Sequence, residues 1–426
     1  MKRAIWTVAV GIVAVVGTGS AVAYAGPLPS ATVSENPVDW TPNVVSANAT
    51  VEQLVQCGST MYAVGTFTSV ARPGGAKVTR NNAFSFSATT GAITSWDPNA
   101  NGAVHSIALS SDCSAAYLVG SFTSVKGTTA KYVAKVNAST AAVDTTFRPA
   151  PNNQGETVIL AHGQLFVGGY FTAIGGGTRP YLASLSPTTG AATNYSTITV
   201  SGRVPGNSTA VSVHKLRLDP TGSRVLAMGA FTAANGATRM QAFVIDLGAS
   251  ATTLDGWYAP GLTPGCAADK VPFFVRAGNW SPDGSRIYLA TTGYKGPSPY
   301  CDKLVQFSSS SSSTQSALWI NDTGCDSLYA VAADATSVYM GGHERFADNE
   351  RGCDYGGAGS VPRPGIGSVQ TSSGRANAWN PTRDRGHGAD DMLRSGAGLW
   401  VASDTFFYSV KCGGEYHPGI CFFPNA

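Results

Sequence analysis

The sequence is poor in charge: only 12% of its 426 residues are Asp, Glu, Lys or Arg, and the formal net charge is +3. That sum is too small to hold a polyanion, so no nucleic-acid partner is expected. Beyond one run near the start, no apolar stretch approaches the ~20 residues of a spanning helix, so no membrane insertion is expected once that run is removed. No window sustains helical periodicity. The chain has no GxSxG, HExxH, P-loop or dinucleotide fingerprint, so no enzyme class is marked by a motif and no catalytic residue is assigned. No CxxC spacing points to zinc, and no loop has EF-hand or RTX spacing, which leaves calcium only the Asp-rich loops. No cofactor and no metal are expected.

What is abundant is glycine, with 50 residues, together with Ser and Thr, a profile for short strands and tight turns. One nine-residue stretch recurs. Tyr117–Val125 reads YLVGSFTSV, Tyr62–Val70 YAVGTFTSV, Phe166–Ile174 FVGGYFTAI and Val225–Ala233 VLAMGAFTA. Looser copies stand at Ile287–Tyr294, Val338–Phe346 and Leu399–Phe406. With Phe67, Phe122, Phe171, Phe231, Tyr294, Phe346 and Phe406 as anchors, the steps are 55, 49, 60, 63, 52 and 60 residues. A repeat of this length cannot cover its own apolar faces and must lean on its neighbours. The unit from Val104 to Pro149 divides into four strands joined by turns. Seven such units predict an all-β fold, a seven-bladed β-propeller of four-stranded antiparallel blades, as one domain over residues 40–426. An aromatic-x-Pro mark at Trp40, Trp96, Phe147 and Trp379 belongs on each outermost strand, where proline is tolerated. Gly120 and its equivalents are expected where strands approach closely. The segment around Trp40 should supply the outer strand of the last blade, with Phe422–Pro424 a second claimant for that place.

Residues 1–25 read as a signal peptide: Lys2 and Arg3, an apolar run Ile5–Val16, and Ala23-Tyr24-Ala25 before Gly26. Residues 26–39, rich in Pro and Ser, read as a flexible leader. The mature chain is therefore expected to be secreted and extracellular, and its eight cysteines to form disulfides. Cys57 and Cys113 occupy first-to-second turns of consecutive units. Cys266 and Cys325 fall in fourth-to-first loops, with Cys301 and Cys353 in the second-to-third loops that follow. The offsets suggest 57–113, 266–301 and 325–353, with Cys412 and Cys421 closing the tail.

Three sets of polar residues are candidates for function. A cation recurs at the start of third strands, at Arg80, Lys131, Arg179, Arg239, Lys303 and Arg363. It forms either a basic ring for an anionic or hydroxyl-rich ligand or a set of ties to carbonyls and carboxylates of each blade. Gly341–Ser395 carries 14 charged residues in 55, twice the chain average. Its long loops suit recognition, which makes Arg345, Asp348, Arg363, Arg383, Asp384, Arg385, His387 and Asp390 ligand-binding candidates unless they pair among themselves. Finally, Glu52, His105, Glu156, His214, Arg276, Asp326 and Asp390 fall at or near the starts of successive first strands, where they could converge on the axis and serve acid/base chemistry. His343, His387 and His417 lack a local metal-ligand pattern and read as hydrogen-bonded loop histidines.

GTFTSV, GSFTSV, GGYFTAIGG and GAFTAANG resemble the repeats of bacterial secreted propellers built from GGxFT-type (delta-60-like) units, from Trp40 to the end of the chain. The last quarter is also similar to a subgroup pattern: GGH, VPRPGI, WNP, RG, GLWVASD and a terminal EYH with FFP. The resemblance implies a seven-bladed propeller and supplies no catalytic residues. Three functions follow as expectations. The first is recognition of a cell-surface or environmental polysaccharide through the loop-rich face. The second is a protein-interaction subunit of a secreted assembly, similar to umbrella-type toxin particles. The third is a polysaccharide hydrolase or lyase using His105, His214 and Asp390.

Overall fold

The computed structural model describes residues 32–205, 210–262, 266, 274–294 and 298–426. The expected signal peptide and the first part of the leader lie outside them. Among the described residues, regular structure is strand, apart from single 3-10 turns at Pro260–Leu262 and Phe406–Tyr408. Second strands such as Ala115–Gly120 and Ser337–Gly342 are buried along almost their whole length, because each lies between neighbouring sheets.

Seven antiparallel sheets follow one another along the chain, and their first strands are Thr50–Cys57, Val104–Leu109, Gly155–Ala161, Ser212–Leu218, Val275–Trp280, Leu328–Ala333 and Ala389–Ser395. Each of these packs against the next, and the last packs against the first, which closes a ring. The fold is a β-propeller. Its core is distributed between sheets: Tyr62, Val64 and Trp96 of the first meet Ile107 and Leu118 of the second in one cluster.

The fourth strand is weaker than the sequence suggests. It is a full strand only at Thr252–Leu254 and Trp319–Asp322. In the first, second, third and sixth sheets it shrinks to one bridge, at Phe86↔Ile93, Val136↔Val143, Leu185↔Ala192 and Val369↔Ala376. The aromatic that follows, or in the fifth sheet opens the strand as Trp319, turns inward and packs on the next sheet. Trp96 donates its indole N–H to the Asn137 carbonyl at 3.0 Å, Trp257 to Ser308 at 2.9 Å and Trp319 to Thr371 at 2.9 Å.

The contested outer place of the last sheet goes to the chain start, and Phe422–Pro424 lies one strand further in. Ile420–Pro424 is the third strand of the last sheet, paired to Gly398–Ser403. The chain start then covers its free edge: Val33 bridges Asn425, the Ser34 N–H donates to the Pro424 carbonyl at 2.8 Å, and the Val38 N–H donates to that of Phe422 at 3.0 Å. The Trp379 indole donates to Ser34 at 2.9 Å. The second half of the expected leader therefore lies along that edge, with one bridge at Val33 and the backbone hydrogen bonds of Ser34 and Val38, because an uncovered strand edge is costly.

Gly120 is required by close approach: a Cβ there would stand 2.1 Å from the Ala103 carbonyl oxygen, and the same holds at Gly65, Gly229 and Gly342 at 2.0 to 2.3 Å. The aromatic anchor comes two residues later in the regular sheets. Counting by strand pairing, with Val275↔Thr291, Leu328↔Gly342 and Ala389↔Ser403 equivalent to Val104↔Gly120, that slot falls on Gly293, Glu344 and Thr405. Tyr294, Phe346 and Phe406 are thus displaced from it. Disulfides join Cys57–Cys113, Cys266–Cys301, Cys325–Cys353 and Cys412–Cys421, the pairings that the repeat offsets suggest. No helix among the described residues is long and apolar enough to cross a membrane.

Candidate functional site

A β-bulge interrupts every first strand near its start. The pairing skips one residue between Val51 and Gln53, Val104 and Ser106, Gly155 and Thr157, Val213 and Lys215, Val275 and Ala277, Leu328 and Ala330, and Ala389 and Asp391. The skipped residues are Glu52, His105, Glu156, His214, Arg276, Tyr329 and Asp390. A bulge re-aims the extra side chain out of the strand's alternation. All seven line one cavity of about 500 Å³ at the mouth of the axial channel, with Lys215, His343 and His387.

Neighbouring bulge residues pair round the ring. His105 Nδ1 stands 2.7 Å from Glu52 Oε2, and His214 Nδ1 3.4 Å from Glu156 Oε2, while the Tyr170 hydroxyl is 3.0 Å from His214 Nε2. The Arg276 guanidinium lies 6.0 Å from the Tyr329 ring centre. Burial alone would lower the His105 pKa, but the Glu52 hydrogen bond and the charges of Glu52 and Glu156 outweigh it and raise the pKa to about 9. Burial would raise the pKa of Glu156, yet its contacts with His214 and His105 hold it below the ordinary value.

In four of the sheets the residue after the bulge stitches the ring, whereas Ala277 and Ala330 hold that place in the fifth and sixth. Gln53 Oε1 accepts from Ile107 N–H at 2.8 Å, Ser106 Oγ from Val158 at 3.1 Å, Thr157 Oγ1 from Leu216 at 3.1 Å and Asp391 Oδ2 from Leu54 at 3.3 Å. In the fourth sheet this place is Lys215, which has nothing to accept with. It reaches across the channel and donates to the Asp390 carbonyl at 3.0 Å, and Arg217 pairs with Asp391 at 2.6 Å. The bridge separates the cavity at the mouth from another at the far end, lined by Arg217 and Asp391. Burial, then Glu52, pushes Asp390 up to about 7, and burial draws Lys215 down.

The loop charges are spent on each other. Arg345 clasps Asp326 through Nε at 2.9 Å and Nη2 at 2.8 Å and also meets Asp354. Arg385 reaches the same Asp326 at 3.2 Å. Arg383 and Asp404 form a buried pair at 2.9 Å, Asp384 accepts from Val410 and Lys411, and Asp348 accepts from Asn321 at 2.6 Å and Ala376 at 3.1 Å. Of the eight loop candidates only His387 and Asp390 line the cavity. Asp326 is buried under the arginines instead, and Tyr329 stands in the ring where Asp326 was expected.

The basic set is likewise consumed within blades. Arg80 donates to the Thr79 carbonyl at 2.8 Å and Thr94 at 2.9 Å, Arg239 to Thr238 at 2.8 Å and Asp255 at 3.1 Å, and Arg179 to Thr178 at 3.0 Å and the Asn194 side chain at 2.9 Å. Arg363 bonds Pro362 and Asn377, and Lys303 pairs with Asp322. Lys131 is exposed and one residue out of phase with the arginines.

Beside the mouth, His387 stacks on Phe406, with ring centres 4.4 Å apart and planes 16° apart, and Phe407 stands 5.5 Å away. Phe407 is 76% exposed and Tyr408 92%. Both have left-handed backbones, φ 53° and 60°. Bulky residues pay for that conformation, and it persists where surrounding structure enforces it.

A family model for a domain of unknown function (DUF5122), described as a beta-propeller, matches residues 162–188. That stretch holds the second strand, loop hairpin and third strand of the third sheet. No curated protein matches the chain. Among solved structures, the WD40 repeats of RRP9 are similar at 9% identity and a TM-score of 0.49, covering 92% of this chain and all of that one. A structure of U3-55K is similar at 10% identity with the same score, covering 91% and all of it.

Sequence reasoning missed Lys215 and Tyr329, and read His343, which lines the cavity, as a hydrogen-bonded loop histidine. The signal for Tyr329 was available: it occupies the second place of its first strand, as His105, Glu156, Arg276 and Asp390 do in theirs. Lys215 carries no such signal, because its role is a contact with a residue 175 positions away.

Proposed function

We propose that this protein is a secreted recognition propeller that binds a hydroxyl-rich polysaccharide at the channel mouth. The observation that carries the reading is a polar cup with aromatics beside it: Phe406 stacks on the cup's His387, Phe407 stands 5.5 Å from it, and Tyr408, next in the chain, is exposed. Sugars present hydroxyls to acids, amines and imidazoles, and their C–H faces to aromatic rings. Glu52, Glu156 and Asp390 supply acceptors, while Lys215, Arg276 and the histidines supply donors. The two signs nearly balance, which favours a neutral polar ligand over a strongly ionic one. Four disulfides agree with the exported setting that the first 25 residues suggest.

The test is a glycan array followed by titration calorimetry with the double variant Phe407→Ala/Tyr408→Ala. Stacking aromatics are worth about 0.5–1.5 kcal/mol each beyond the area they bury, so a loss of roughly tenfold or more is expected. Absence of any bound glycan from the array and from intact cell walls would sink the proposal. A stoichiometric protein captured from spent medium instead would favour the role of a subunit in a secreted assembly.

A further inference from the structure

Asp39, Glu415 and His417 come together where the two ends of the chain meet. One ligand atom from each lies within 4.8 Å of the others. Asp39 precedes Trp40 on the segment that covers the last sheet. Glu415 and His417 belong to the tail hairpin formed by Lys411–Cys412 and Glu415–Tyr416.

The Thr41 hydroxyl stands 3.0 Å from His417 Nδ1 and 3.2 Å from the Ile420 carbonyl. With its proton on that carbonyl it accepts from Nδ1–H, the tautomer in which Nε2 presents a lone pair. His417 is only 4% exposed, and Nε2 makes no hydrogen bond among the described residues; the nearest carboxylate oxygen, of Glu415, is 3.5 Å away. A buried lone pair facing two carboxylates is repulsive unless a cation stands among them. A histidine whose other N–H is held by an oxygen partner is the usual form of a metal ligand.

We propose that Asp39, Glu415 and His417 bind a divalent transition-metal ion of the zinc class. One imidazole and two carboxylates suit zinc better than calcium or magnesium, which prefer all-oxygen sites. The ion clips the segment at Asp39 to the tail hairpin, beside the Cys412–Cys421 disulfide, and so reinforces ring closure.

The full chain, stripped with a chelator and dialysed, is titrated with zinc chloride by calorimetry and by thermal unfolding. The expected result is one equivalent bound and a Tm raised by several degrees, since a ligand that binds only the native state stabilises it by mass action. Glu415→Gln and Asp39→Asn alter partly or fully exposed side chains and should fold with the chelated protein's Tm, yet bind zinc about tenfold or more weakly. The inference is overturned if zinc leaves the wild-type Tm unchanged, or if both variants respond to zinc as the wild type does.

Discussion

His105 is held between two acids at the mouth of the channel, and its pKa near 9 has a consequence for stability. A histidine whose folded pKa lies above the unfolded value near 6.5 stabilises fully below that value, and the contribution is lost as pH rises through the folded pKa. Glu52→Gln removes the hydrogen-bonded partner. It is expected to bring the His105 titration midpoint, read by NMR, down toward the ordinary range and to cost on the order of 1–3 kcal/mol near pH 7. The cost should shrink above pH ~9, where the wild-type imidazole is neutral as well. An unmoved midpoint would mean that Glu52 does not hold the proton. A second residue is unusual in the opposite sense: Glu344 fills the slot that Phe67, Phe122, Phe171 and Phe231 fill elsewhere. It is fully buried, neither carboxyl oxygen has a hydrogen-bond partner among the described residues, and burial pushes its pKa to about 8. A neutral acid there stands in for an aromatic ring.

At the scale of the element, the decisive device is the bulge. Six of the seven ring residues were legible because they recur at one offset, but alternation along a regular strand would have turned each into the sheet or away from the axis. The bulge is a pairing event between two strands and leaves no residue-type signature of its own. The glycine two places before the anchor is legible for the opposite reason, since its constraint repeats wherever the strand does. Gly120→Ala places a methyl group 2.1 Å from the Ala103 carbonyl oxygen, which cannot withdraw without breaking the sheet. The expected loss is at least about 3 kcal/mol in urea unfolding. Gly396→Ala, with no atom within 4 Å of its Cβ, should be nearly neutral. Equal effects of the two would show that close approach is not what selects glycine.

At the scale of the molecule, the ring is closed by two backbone segments from opposite ends of the chain. Removing residues 26–38 exposes the edge of Ile420–Pro424 and leaves the Trp379 indole without Ser34. A markedly lower Tm and concentration-dependent aggregation are expected from thermal scans and light scattering, because an open edge recruits further strands. An unchanged Tm would make the covering segment ornamental. Seven units and their disulfide pairs could be read from the sequence, because each is a local pattern repeated or a spacing between repeats; which end of the chain covers the last sheet could not. Which charges face a ligand could not either. Arg345, Arg383 and Arg385 look alike in the sequence and are all neutralised by Asp326 or Asp404, whereas Lys215 is positioned by a bridge across the axis to the last sheet. Repetition is a property of the chain and shows in one dimension; charge pairing depends on distances between segments far apart in sequence, which exist only once the ring has closed.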